Sequence, residues 1–321
     1  MTQTPSPTAA EQPDVLVVAK LWPPMMESLR GAFRVHDRIH QSDPTAFAAV
    51  APRIRAISAS GESKVPRELI AQMPALEIIS VFGVGYDGVD VAAARERGVA
   101  VTNTPDVLND EVADLAIALV LSVSRRIPQA DRYVRDGQWA NGPMPLARKV
   151  SGARLGIVGL GRIGNAIAKR AEAFDMTIAY TARSAKPESR YRYFPSAEAL
   201  AAEVDFLVVI TPGGAGTRKL IDAKVLKALG KDGYLINVAR GSVVDEAALV
   251  EALQNGTIAG AGLDVFENEP NVPDALIAAD NVVLTPHIGS ATWQTRRAMA
   301  DRAFGNLEAH FAGKPLLSPV P

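Results

Sequence analysis

The chain has 321 residues, enough for about two domains with real cores. Its 34 Lys and Arg against 35 Asp and Glu leave a net charge of -1 with no long like-charge run, which argues against nucleic acid or an anionic membrane surface as a partner. The absence of cysteine excludes disulfides, thiolate-bound zinc, iron-sulfur clusters and thiol nucleophiles.

In chain order, the opening MTQTPSPTAAEQPD is polar and proline-bearing and lacks the apolar core of a signal peptide. Residues 1–13 therefore read as a disordered lead-in, and the cytoplasm is the default compartment. Short runs rich in Val and Ile follow: VLVVA from Val15, LEIISV from Leu76, VAVTN from Val99, RLGIVGLG from Arg154, MTIAYT from Met176, VDFLVVIT from Val204, YLINVA from Tyr234, IAGAGLDV from Ile258 and NVVLTP from Asn281. Near-continuous apolar strands alternating with helical stretches predict α/β architecture with parallel sheets covered on both faces. The stretch 109–127 predicts a helix, with Asn109 as N-cap, acids in its first turn and arginines near its end. Its apolar segment VADLAIALVLSV is too short to span a bilayer and carries Asp114. Residues 136–152 are rich in turn formers and predict an exposed loop.

Gly159, Gly161 and Gly164 form G-x-G-x-x-G directly after an apolar strand and open a helix of small residues. That context is the dinucleotide fingerprint: one glycine for the turn, one for backbone approach to a pyrophosphate, one for close helix packing. An NAD site wants Asp or Glu at the end of the next strand, about twenty residues on. Thr181 stands there instead, followed by Arg183 and Ser184 with Lys186 behind, a set suited to a 2'-phosphate. The expected cofactor is NADP(H) in preference to NAD(H).

Further strand ends carry Arg240, then Asp264, Glu267 and Glu269, then His287. Taken singly, each has an ordinary explanation: a surface charge, an exposed acidic turn, a histidine buried at a strand end. Ligands of open α/β sheets bind beyond the carboxyl ends of the strands, so beside a dinucleotide turn the set suggests an anion clamp, an acid and a group that tunes it.

The ordered motifs GLGRIG, NVARGSVVDEAAL, GAGLDVFENEP and TPHIGSAT resemble the D-2-hydroxyacid dehydrogenases, from about residue 15 to the C-terminus. The resemblance implies Arg240, Glu269 and His287 as the catalytic residues. Glu269 is preferred to Glu267 because the family's glutamate falls five residues after the aspartate matched by Asp264, which is expected at the nicotinamide. Cofactor contacts are implied for Gly159, Gly161, Arg162, Ile163, Gly164, Arg183, Ser184, Thr211, Pro212, Val238, Ala239, Asp264 and Gly289. The chemistry suits these assignments. The planar fork of Arg240 binds a 2-oxo acid's carboxylate and polarises its ketone. His287 supplies the proton, and a carboxylate beside it raises an imidazole pKa from about 6.5, typically by a unit or more. Formate-oxidising relatives carry glutamine beside the histidine, so Glu269 points to ketone reduction.

Within the family the chain resembles the glyoxylate/hydroxypyruvate reductases, above all the plant-type hydroxypyruvate and hydroxyphenylpyruvate reductases. The resemblance implies substrate-carboxylate contacts from the backbone at Val84 and Gly85, a hydrogen bond from Ser290, and Trp139 reaching the pocket of a partner chain in a homodimer. Two departures stand out: TPGGAG from Thr211 puts small residues after Thr-Pro, which loosens contacts at the cofactor, and Ala185 replaces a lysine, which leaves more of the NADP preference to Arg183. The implied fold is a Rossmann cofactor domain, residues 103–288, inserted into a flavodoxin-like substrate domain of residues 14–102 and 289–321. The competing functions are a dinucleotide-sensing corepressor on the same fold and an NAD-dependent dehydrogenase of other substrate range.

Overall fold

The structure, a computed structural model, describes residues 12 to 321. Most of the expected lead-in, residues 1–11, lies outside the described residues. The chain divides into two compact units, one formed by the residues up to Leu108 together with Thr292–Pro321, the other by Asn109–Ala291. Both divisions fall a few residues beyond the positions expected from sequence, because the chain continues past strand ends before it changes unit.

The first unit is built on five strands, β1 Asp14–Val17, β2 Arg34–Asp37, β3 Ile54–Ser60, β4 Ile78–Phe82 and β5 Ala100–Thr102. They are parallel throughout, in the order β2-β1-β3-β4-β5. This is the flavodoxin-like order. Every residue of β1 and β4 is buried, as a parallel sheet covered on both faces requires. The long helix Trp293–Phe311 packs on β4, and the buried Ser80 hydroxyl donates to the Ala303 carbonyl at 2.8 Å.

The second unit has seven strands, β6 Arg154–Val158, β7 Thr177–Thr181, β8 Arg192–Phe194, β9 Phe206–Val209, β10 Tyr234–Asn237, β11 Gly260–Leu263 and β12 Val282–Leu284. All pairs are parallel, in the order β12-β11-β10-β9-β6-β7-β8. This is the Rossmann arrangement with one added strand, and its order reverses at β6. The helix following β6, Arg162–Glu172, is tied to the helix Asn109–Arg125 by Arg170, which pairs with Asp110 at 2.9 Å and also with Asp114.

Three strands have no counterpart among the apolar runs: β2, β3 and β8. The helix expected over 109–127 stops at Arg125, because Arg126 adopts a left-handed conformation (φ 53°) and Pro128 opens a second helix, Ile127–Arg135. The expected loop contains a short 3-10 turn, Gln138–Asn141. Among the described residues, no helix is long and apolar enough to cross a membrane.

Candidate active site

The glycine turn follows β6 at the switch point of the seven-stranded sheet. A Cβ on Gly164 would stand 2.3 Å from the Gly159 carbonyl oxygen, so the first helical turn comes that close to the strand end only with glycine there. A Cβ on Gly161 would meet nothing within 4 Å, and Gly161 caps the helix without a side-chain hydrogen bond. The turn therefore presents an open helix N-terminus, a fitting cradle for a pyrophosphate. Arg162 is exposed and Ile163 half-buried on the first turn. Thr211 and Pro212 follow β9 on the same edge, and the small-residue loop is closed by the Thr217 hydroxyl, which donates to the Pro212 carbonyl at 2.7 Å.

At the end of β7, Thr181 is buried, while Arg183 and Ser184 beyond it are exposed. Two tyrosines that the sequence motifs did not single out hold this segment. The buried Tyr180 hydroxyl accepts the Lys186 N–H at 2.7 Å, and the Tyr193 hydroxyl reaches the Ala182 carbonyl at 3.5 Å. Their rings pack at 5.5 Å.

Three adjacent parallel strands place the ionisable set on one edge: Arg240 just after β10, Glu269 after β11 and His287 after β12. Behind Arg240 the buried Asn237 accepts the Ala239 N–H at 3.1 Å and donates to the Arg240 carbonyl at 3.1 Å, closing the turn through Val238 and Ala239. A Cβ on Gly241 would fall 1.9 Å from the Phe266 carbonyl carbon, so the arginine's loop lies directly against the loop that carries Glu269. The side chain of Glu269 spans both neighbours: one oxygen accepts the Phe266 N–H at 3.0 Å and the other meets His287 Nδ1 at 2.8 Å. Glu267 instead pairs with Arg218 at 3.1 Å, which separates the roles of the two acids. Burial by itself would push the Glu269 carboxyl up, but the His287 hydrogen bond and charge, the Phe266 N–H and the nearby Arg240 charge together hold it below the usual carboxylate range.

His287 has a left-handed backbone, φ 52°, rare outside glycine and costing about 1–3 kcal/mol. Asp264 stabilises it. The Asp264 carbonyl accepts the His287 N–H at 2.9 Å, and the carboxylate accepts Thr285 Oγ1 at 2.7 Å, the Ile288 N–H at 2.8 Å and the Gly289 N–H at 2.9 Å. A typical intramolecular hydrogen bond is worth about 0.5–1.5 kcal/mol net, so the set together is of the same order as the strain. Burial, the dominant influence, pushes the Asp264 carboxyl up, against the lowering effect of Thr285, the two N–H groups and His287. The structure thus engages Asp264 and the Gly289 N–H in the turn that carries His287. Ser290 is half-buried directly after that turn.

Val84 and Gly85 belong to the first unit, just past β4. Trp139 is 68% exposed on the short 3-10 turn, and Leu146 close by is fully exposed. The signal that would have found Asn237 in the sequence is a polar residue closing an apolar run.

Residues 117–289 match the family described as D-isomer specific 2-hydroxyacid dehydrogenase, NAD binding domain. The chain is 54% identical over 274 residues to hydroxyphenylpyruvate reductase of Plectranthus scutellarioides, covering 85% of this chain and 88% of that one. It is 52% identical over 267 residues to glyoxylate/hydroxypyruvate reductase A of Arabidopsis thaliana, covering 83% and 85%. Among solved structures it is similar to an NADPH-dependent glyoxylate/hydroxypyruvate reductase from Sinorhizobium meliloti in complex with NADP and malonate, at 50% identity and a TM-score of 0.91 over 97% of each chain. With a nicotinamide-dinucleotide domain, a hydroxyacid-dehydrogenase fold in both units and this degree of identity, the chain belongs to the D-isomer specific 2-hydroxyacid dehydrogenases, in the glyoxylate/hydroxypyruvate reductase subgroup.

Proposed function

We propose that this oxidoreductase uses NADPH to reduce a 2-oxo acid, namely glyoxylate, hydroxypyruvate or an aryl pyruvate, to the D-2-hydroxy acid. The observation that carries this proposal is the Glu269–His287 pair at 2.8 Å, on the same sheet edge as Arg240 and the glycine turn. The names of the relatives support the substrate class, and the NADPH dependence of the Sinorhizobium enzyme supports the cofactor.

The glycine turn at Gly159, Gly161 and Gly164, with Arg162 and Ile163, holds the pyrophosphate. Arg183 and Ser184 meet the 2'-phosphate. Thr211, Pro212, Val238, Ala239, Asp264 and Gly289 line the remaining cofactor path. Arg240 grips the substrate carboxylate and polarises the carbonyl, with the Ser290 hydroxyl as a further donor. Within the first unit, the backbone N–H groups at Val84 and Gly85 are the proposed carboxylate contacts. Bound NADPH supplies the hydride to the carbonyl carbon. Glu269 engages His287 Nδ1, which directs Nε2 to the substrate oxygen, and a carboxylate at that distance favours the imidazolium form. His287 then delivers its proton as negative charge develops on that oxygen.

A homodimer is part of the same proposal. The helix Ile127–Arg135 buries none of its residues fully, Ile127 and Val134 are about half exposed, and Trp139 and Leu146 are more exposed still. A second copy covering this face removes that apolar surface from water and brings Trp139 to the partner's pocket.

Three outcomes are expected. His287→Ala lowers kcat for glyoxylate or hydroxypyruvate reduction by about 10²–10⁴-fold while NADPH binding, followed by nicotinamide fluorescence, stays near wild type; loss of binding as well removes the proton-donor assignment. Arg183→Asp shifts the NADPH-to-NADH ratio of kcat/KM by at least about tenfold toward NADH, and an unmoved ratio contradicts the NADP assignment. Light scattering at micromolar concentration gives twice the mass of one chain; a monomer removes the role of Trp139.

A further inference from the structure

The loop expected to receive the substrate carboxylate is held from behind. Asn103 Nδ2 donates to the Val84 carbonyl at 2.9 Å. The Val84–Gly85 peptide is planar and trans, so its C=O and N–H point in opposite directions. A bond that fixes the Val84 carbonyl therefore fixes the direction of the Gly85 N–H. The preceding peptide is held as well, since the Thr104 N–H donates to the Gly83 carbonyl at 2.9 Å.

Asn103 is itself locked by the C-terminal tail. The Asn103 N–H donates to the Ser318 carbonyl at 3.3 Å, and the Ser318 hydroxyl donates to the Asn103 carbonyl at 2.7 Å. That hydroxyl accepts from Asn306 Nδ2 at 2.9 Å, while Asn306 Oδ1 accepts the N–H groups of Leu317 and Ser318 at 2.9 and 3.2 Å. Asn306 is fully buried on the helix Trp293–Phe311, and Ser318 is 7% exposed. A continuous chain of hydrogen bonds thus runs from that helix, through the tail, to one peptide of the substrate loop.

We propose that Asn103 is a positioning residue that aims the Gly85 N–H at the substrate carboxylate, with Ser318 holding Asn103 in register. The proposal rests on the assignment of Val84 and Gly85 to the substrate carboxylate made above. The Asn103 side-chain N–H is spent on the Val84 carbonyl, so Asn103 acts through the loop. Its effect is to keep a backbone donor preorganised, so that binding does not have to order it.

The test compares Asn103→Asp and Ser318→Ala with wild type. Asn103→Asp is nearly isosteric, but an ionised carboxylate has no donor for the Val84 carbonyl. It raises KM for glyoxylate about tenfold and weakens calorimetric binding of malonate to the NADP-loaded protein by a similar factor, while kcat and NADPH affinity change less than about twofold. Ser318→Ala moves the same two quantities in the same direction by a smaller factor, and it carries the test if Asn103→Asp does not fold. A general loss of structure would lower kcat and NADPH affinity together with carboxylate affinity. If both variants fold and keep wild-type KM and malonate affinity, or if kcat and NADPH affinity fall alongside, the positioning role is overturned. A wild-type protein that neither reduces glyoxylate or hydroxypyruvate nor binds malonate refutes the functional assignment itself.

Discussion

The buried carboxylate of Asp264 is the interaction on which the site depends most. Its oxygens collect Thr285, Ile288 and Gly289, and its own carbonyl takes the His287 N–H, so one residue at the end of β11 shapes the turn after β12. That set of acceptors helps to offset the strain of the left-handed backbone at His287. Burial pushes this carboxyl up, and Thr285, the Ile288 and Gly289 N–H groups and His287 offset that only in part. His287 then meets Glu269 because both side chains stand on loops fixed by backbone contacts.

Chain topology supplies the rest. Parallel strands send all their carboxyl ends to one edge, so residues far apart in sequence share a rim without any long-range side-chain contact. β10, β11 and β12 are neighbours, and their following loops carry Arg240, Glu269 and His287. The Gly241 backbone lies against Phe266, which keeps the arginine loop and the glutamate loop in contact. In the same sheet, β6 lies at the reversal of strand order and delivers the glycine turn to that rim.

Much of this was legible in the sequence because it is written locally. Apolar runs marked nine strands, the glycine spacing marked the dinucleotide turn, and ionisable residues closing apolar runs marked the rim. What escaped lacks a local signature. β2, RVHD, is a partly exposed edge strand with two charged residues. β3, IRAISAS, is central but built largely of small residues, and it buries Ser58 completely. β8 is three residues long. Asp264 stood out in the sequence as an ionisable residue closing an apolar run, but its bonds to the turn after β12 come from residues more than twenty positions away. The grip of Asn103 on Val84 spans 19 positions and that of Ser318 on Asn103 spans 215, distances at which no spacing rule operates.

In the proposed mechanism Glu269 keeps His287 protonated for the reduction, and the pH profile of that reduction reports on it. Burial pushes the Glu269 carboxyl up, but the His287 hydrogen bond and charge, the Phe266 N–H and the Arg240 charge hold it below the usual carboxylate range, and an ionised Glu269 favours the imidazolium. The rate of reduction, as kcat/KM, is then flat below the imidazolium pKa and falls above it as the proton donor is lost. Glu269→Gln removes the charge that stabilises the imidazolium, so the fall is expected to move to lower pH by about one unit or more. A fall at the same pH in wild type and Glu269→Gln would contradict it.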